Sequence, residues 1–321
     1  ALAHAVPDNR LHLRLGGGAA DRLALAEGAA LLGRPVGAAL EMAGFGGRFT
    51  VTEPARIALT GAPMRATLDG AALAWHAVHA LPAGAVLEVG GALEGVYGYL
   101  SLGAGFDIPP VLGAQSAHLA AGLGRAVQAG DRLPLATDPG GPVGRVLDVA
   151  PRWSGGELRL LPSLQTPLFP QDELTRFCET GFTRDSRANR MGLRLLPEAE
   201  GFGLQGGQSI LSEVVTPGDV QIPGDGAPYV LLYECQTTGG YPRIGTVIPC
   251  DLPRAAQTPA GAALRFRFVT RAEALAAEER HRTHLRALPR APRALVRDPG
   301  DIADLLSYTL ISGVTAGEEL A

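Results

Sequence analysis

The sequence predicts a mainly β protein of two related barrel-like units, and three observations carry that expectation. The 43 glycines and 25 prolines cut the 321 residues into short pieces separated by turns. Within those pieces β-branched, aromatic and leucine residues alternate with smaller ones, the period of a strand with one buried face. One part of the chain also repeats another: residues 106–116 ("FDIPPVLGAQS") lie over residues 241–251 ("YPRIGTVIPCD").

Taken in order, the strand candidates are "RIALTGAPMRATLDG", "AVLEVGG", "VYGYLSL", "YVLLYECQ" and "LRFRFVT". Helical patches are few and fall at residues 21–32, 171–180 and 271–288. The last of these is polar around most of its circumference and belongs on the surface. Residues 136–146 ("ATDPGGPVGRV") crowd an aspartate, prolines and glycines together and mark the boundary, giving a first unit at 1–140 and a second at 141–321. The likeness between the units continues on both sides of the repeat, "LPAGAVLEVGGALEGVYGYLSL" against "TPGDVQIPGDGAPYVLLYE" upstream. Two diverged copies are too few for a solenoid, so duplication of a barrel-like unit is the better account.

Composition excludes several chemistries. All 28 basic residues are arginine, so the chain has no lysine for a Walker-type phosphate loop, a Schiff base or a biotin amide. A net charge of -4 with dispersed arginines argues against nucleic acid. No apolar run approaches a membrane span, and the opening lacks the order of a signal peptide, so a cytoplasmic location is expected. Cys178, Cys235 and Cys250, odd in number and without CxxC spacing, suit reduced thiols.

The two copies differ where chemistry would sit. The turn "GAGFDIPP" of the first becomes "QTTGGYPR" in the second, which gains Gln236, Thr237, Thr238 and Tyr241 beside Gly239 and Gly240. A glycine pair permits positive backbone dihedrals that aim successive amides into one concavity, and the hydroxyls and amide add neutral donors and acceptors.

Together with "DSRANRMGLRL" and "GYLSLGAGFDIPPVLGAQSAHLAAGLGRAVQAGDRLPL", the stretch "GDVQIPGDGAPYVLLYECQTTGGYPRIGTVIPCDLPRAAQTPAGAALRF" resembles the biotin-dependent carboxyltransferase family. This family is also called allophanate hydrolase subunit 2 and includes the C subunit of 5-oxoprolinase. The resemblance covers roughly residues 16–270. It implies two cyclophilin-like β-barrel units and a subunit-B-like (allophanate hydrolase subunit 1-type) partner, with the site between the two proteins. It further implies either ATP-driven opening of 5-oxoproline to glutamate with a third, lactam-hydrolysing subunit, or transfer of a carboxyl group from carboxybiotin to urea. Some relatives are instead regulatory binding modules. The chain departs from the family pattern in the "VPDNRLHLRLGG" stretch before "GAAD", in Ala29 and Arg34 where asparagines are usual, and in Glu234 where aspartate is usual.

Within this frame Asn189 and Arg190 are candidate substrate-binding residues, the planar guanidinium suiting a small carboxylated amide. An arginine that ties two loops to a backbone carbonyl or a carboxylate is the competing reading. Tyr241 is a candidate donor to a substrate carbonyl, and Glu234 or Asp251 could orient water or take a proton if buried. Asp251 could instead cap "LPRAAQ". Gln257 and Ser116 are candidate pocket-lining positions. No covalently bound cofactor is expected, and ATP is assigned mainly to partner chains. "GFGLQG" at residues 201–206 spells GxGxxG without a following helix, and His281 and His284 lack an acidic ligand cluster, so neither is read as a site.

Overall fold

A computed structural model describes residues 2–4, 18–204 and 210–296. The "VPDNRLHLRLGG" departure and the end of "GFGLQG" lie outside the described residues. The architecture is mainly β, with four α-helices among the described residues: α1 (Arg22–Leu32), α2 (Gln171–Glu179), α3 (Leu252–Gln257) and α4 (Arg271–Ala287).

The first unit divides its strands between two sheets. One runs in the order Leu2–His4, Ala39–Ala43, Tyr97–Leu102, Ala55–Gly61, Ala77–Leu81, Arg145–Val146, Arg293–Ala294, so the last described strand returns to its edge. The other runs Arg48–Thr50, Val86–Ala92, Met64–Leu68, Ala71–Ala72. Met42, Ile57 and Leu59 of the first meet Met64, Leu87 and Val89 of the second in one core. The chain changes sheet at Gly61, whose φ of +75° and closeness to the Tyr97 carbonyl (2.5 Å from a Cβ placed there) require glycine.

The second unit is a closed seven-stranded barrel, ordered Gly156–Leu161, Arg243–Val247, Asp219–Gln221, Tyr229–Leu231, Gly192–Pro197, Phe182–Arg184, Ala263–Phe268. Parallel pairing of Ala263–Phe268 with Gly156–Leu161 closes it and leaves no free edge. Phe177 of α2 lies 4.9 Å from Phe266 and 5.1 Å from Phe182, ring centre to ring centre, filling the barrel with offset and tilted aromatic contacts. The same core cluster takes in Ala24, Leu25, Tyr97 and Tyr99 of the first unit, so apolar packing crosses the seam without a break.

The repeated stretches fold alike only in part. Residues 243–247 form a barrel strand, whereas their counterparts 108–112 stay in loop. Pro109 and Pro110 stand where the second copy has Ile244 and Gly245, and proline cannot donate to a ladder. The strand expected over "YVLLYECQ" stops at Leu231. Beyond it, Leu232 and Glu234 donate their amides to the carbonyls of Met191 and Arg190, drawing the chain onto that loop.

Candidate active site at the seam of the two units

Helix α1 aims its N-terminus into the seam, where Asp21 caps it by accepting the Ala24 amide at 3.1 Å. The free oxygen of this fully buried carboxylate accepts Arg152 Nε at 2.8 Å and Gln257 Nε2 at 2.9 Å. Arg152 closes its fork on both oxygens of Glu27, at 2.8 and 2.9 Å. Gln257, at the end of α3, accepts the Val96 and Tyr97 amides and donates to the Tyr97 carbonyl at 2.8 Å. One side-chain amide of the barrel thereby takes the place of a strand neighbour in the first unit.

Across the seam, the loop carrying "SRANRMG" brings Arg190 to the first unit. Its Nε donates to Glu234 at 2.8 Å, its Nη1 pairs with Glu41, and its Nη2 reaches the Gly18 carbonyl. Glu41 accepts the Ala20 amide at 2.9 Å and the Tyr99 hydroxyl at 2.7 Å, and Tyr99 in turn accepts the Asp21 amide at 2.8 Å. A continuous buried network therefore runs from Glu234 through Arg190, Glu41, Tyr99 and Asp21 to Arg152.

The structure shows where each of the expected site residues lies. Arg190 is committed to two of the protein's own carboxylates and a carbonyl, the arrangement of an arginine that ties loops together. Glu234, 5% exposed, is held by that same guanidinium and faces no solvent where water could be activated. Asp251 is locked in a bidentate pair with Arg159, at 2.6 and 2.9 Å, and makes no side-chain cap to α3. Gln257 is fully buried, with its side-chain amide engaged by Asp21, Val96 and Tyr97. Asn189 is exposed and uses Oδ1 to accept the Met191 amide. Ser116 lies half-buried in the loop after Tyr97–Leu102, with no hydrogen bond to these groups among the described residues.

The "QTTGGYP" turn does sit at the surface. Gln236, Thr237, Thr238, Gly240 and Tyr241 are exposed, and Thr238–Gly239 pairs with Glu213–Val214. Neither Gly239 nor Gly240 has a positive φ, so the expected amide concavity is absent. Gly239 is needed for another reason: a Cβ there would stand 2.5 Å from Gln221 Nε2, a buried nitrogen without a partner, while Gln221 Oε1 accepts Gln236 Nε2 at 3.3 Å. Arg34, where the family has asparagine, donates to the Leu102 carbonyl at 2.6 Å and serves the first unit's own loop. Asp21, Glu27, Glu41, Tyr99 and Arg152 escaped the sequence reading because partners up to 236 positions apart leave no local spacing to detect.

Two buried groups give the seam a pH signature. Burial pushes Glu27 up to about 7 against the pull of Arg152. Burial draws His76, stacked on Trp153, down to about 4. Between their ordinary and shifted values, folded Glu27 holds a proton that the unfolded chain has released, so its contribution to stability falls as pH rises from about 4.5 to 7. Folded His76 lacks a proton that the unfolded chain has taken up, so its contribution rises with pH from about 4 to 6.5. The slopes oppose each other. In urea unfolding between pH 4.5 and 6.5, Glu27→Gln should leave a rising stability curve and His76→Phe a falling one, each by at most about 1.4 kcal/mol per pH unit. Two variant curves parallel to the wild type would refute this assignment.

Comparison with known proteins agrees with this architecture. Residues 15–268 match the family model described as carboxyltransferase domain, subdomain A and B. The chain is 32% identical over 273 residues to the C subunit of 5-oxoprolinase from Haemophilus influenzae, covering 84% of this chain and 87% of that protein. It is 34% identical over 228 residues to the C subunit of 5-oxoprolinase from Escherichia coli K12, covering 69% and 72%. The crystal structure of TTHA0988 superposes with a TM-score of 0.74 at 31% identity over 83% of this chain, which spans about half (53%) of that one. The chain therefore belongs to the family of the carboxyltransferase domain, subdomains A and B.

Proposed function

We propose that this chain is the C-type subunit of an ATP-dependent 5-oxoprolinase, which opens the lactam of 5-oxoproline to glutamate. The observation that carries this reading is its 32% identity, over 84% of the chain, to the corresponding protein of Haemophilus influenzae. In the reaction water adds across the ring C–N bond, the carbonyl carbon becoming the new carboxylate and the nitrogen the free amine. The Thr237 and Thr238 hydroxyls and Tyr241 supply neutral donors for the substrate carbonyl. Their exposure supports a site completed by another protein, since polarised donors act strongly only where water is excluded. A subunit-B-like protein closes that site, and a third subunit takes part in the hydrolysis. ATP is assigned to those partners. The buried Asp21 cap occupies the amide position that a phosphate would take at the N-terminus of α1, so this helix does not fit a nucleotide.

The test is to copurify the chain with its subunit-B-like and third subunits and follow ATP hydrolysis. Addition of 5-oxoproline should stimulate phosphate release, with glutamate formed, only when all components are present. Hydrolysis indifferent to 5-oxoproline overturns the reading. Carboxylation of urea from carboxybiotin supplied by another domain would put the carboxyltransferase reaction in its place.

A further inference from the structure

The strand Phe182–Arg184 carries an anomaly at its end. Phe182 points into the barrel core, and by the alternation of a strand Arg184 lies on the same face, at the barrel mouth. Arg184 is only 9% exposed, yet its guanidinium makes no hydrogen bond or ion pair with any described residue, and Nε is shut off from solvent without a partner. The neighbouring acids are already engaged. Asp185 is held by Arg187 and Arg194, and Glu234 by Arg190. Across the seam stands Tyr97, 3% exposed, whose hydroxyl also has no hydrogen-bond partner among the described residues.

A buried guanidinium without a counter-charge is costly, and folded proteins rarely keep one without a use. Here the guanidinium has no counter-charge and the Tyr97 hydroxyl has no protein partner among the described residues, while all the other arginines of the "RDSRANRMGLR" segment are paired. Burial lowers the pKa of Arg184, which a bound anion would reverse.

We infer that Arg184 and the Tyr97 hydroxyl form a receptor for a single small carboxylate group at the barrel mouth, between the two units. The guanidinium fork takes the two carboxylate oxygens, and the phenol donates to one of them. The site takes over the role expected of Arg190, six residues further on, whose fork is filled by the protein itself. It does not depend on which reaction the assembly performs, because a free carboxylic acid, bicarbonate or the carboxylate of a cyclic amide all present the same oxygens.

The test uses the full chain and follows thermal unfolding at fixed ionic strength, with acetate, bicarbonate, 5-oxoprolinate, the carboxamide of 5-oxoproline, chloride and sulfate as separate probes. At least one carboxylate should raise the Tm of the wild type, and the carboxamide, chloride and sulfate should not. Arg184→Met should unfold at the same or a higher temperature without ligand, because it removes an unpaired buried charge, and should lose the response, with at least about tenfold weaker carboxylate affinity. Arg184→Lys, which keeps the charge without the fork, and Tyr97→Phe should both fold and show intermediate losses. The inference is overturned if no carboxylate shifts the wild type, if sulfate or chloride shifts it as much, or if Arg184→Met responds like the wild type. A response to acetate or bicarbonate without one to 5-oxoprolinate would uphold the receptor and count against the proposed substrate alone.

Discussion

Arg152→Met is expected to destabilise the protein by about 3–5 kcal/mol, the loss that follows when one partner is deleted from a buried ion cluster. At this chain length that corresponds to a fall in Tm on the order of 10 °C. Arg152 is 5% exposed and is the counter-charge for both Asp21 and Glu27, which are 0% and 1% exposed. Its removal strands two carboxylates together, one of which also caps α1 and anchors Gln257. The guanidinium additionally lies 4.7 Å from the Trp153 ring centre, so packing is lost with the charge. Chemical denaturation of the variant above the range in which folded Glu27 holds its proton should also show coupling: adding Glu27→Gln to Arg152→Met should recover part of the loss, because the stranded charge disappears with it. A loss under about 1 kcal/mol would mean that the cluster does not hold the seam.

The second large effect is expected at Arg190, and it separates a structural tie from a substrate clamp. Arg190→Met leaves Glu41 and Glu234 buried without their shared cation, again an expected loss of about 3–5 kcal/mol. The triple variant that also carries Glu41→Gln and Glu234→Gln should regain much of it. Under conditions where Arg190→Met remains folded in its complex, affinity for 5-oxoproline should stay within about threefold of wild type. A variant of normal stability that binds substrate about tenfold more weakly would restore Arg190 to the substrate and remove it from the seam.

The two expectations share a physical basis in where the network lies. The core crosses from unit to unit, so polar groups at the crossing are cut off from water and must satisfy one another. The donors of the exposed turn face solvent and are free to meet a substrate or a partner protein. At the seam the charged groups are turned inward for cohesion, whereas the exposed turn offers neutral ones.

Much of the fold was legible in the order of residues. The helix read at residues 21–32 appears as Arg22–Leu32, and those read at 171–180 and 271–288 appear within a residue of their expected ends. Helical runs rich in alanine, leucine and glutamate, and alternation in strands, are local signals that neighbouring residues carry by themselves. The family was legible for the same reason, since its motifs are contiguous. What failed were inferences about conformation and partnership. The glycine pair suggested left-handed backbone, but the ladder with Glu213–Val214 holds the segment extended and uses Gly239 for clearance over Gln221.

By itself, the sequence determined a lysine-free, mainly β chain, the positions of three of its four described α-helices and the turn that distinguishes the second unit. Only the tertiary structure decided which arginine is spent and which is left over. Arg190 and Arg184 lie six positions apart in similar company, and nothing local tells them apart. The difference comes from Glu41, 149 positions from Arg190, whose carboxylate reaches the one guanidinium and not the other. A guanidinium's availability depends on the charges that folding delivers to it from distant parts of the chain, and short-range pattern does not encode that delivery.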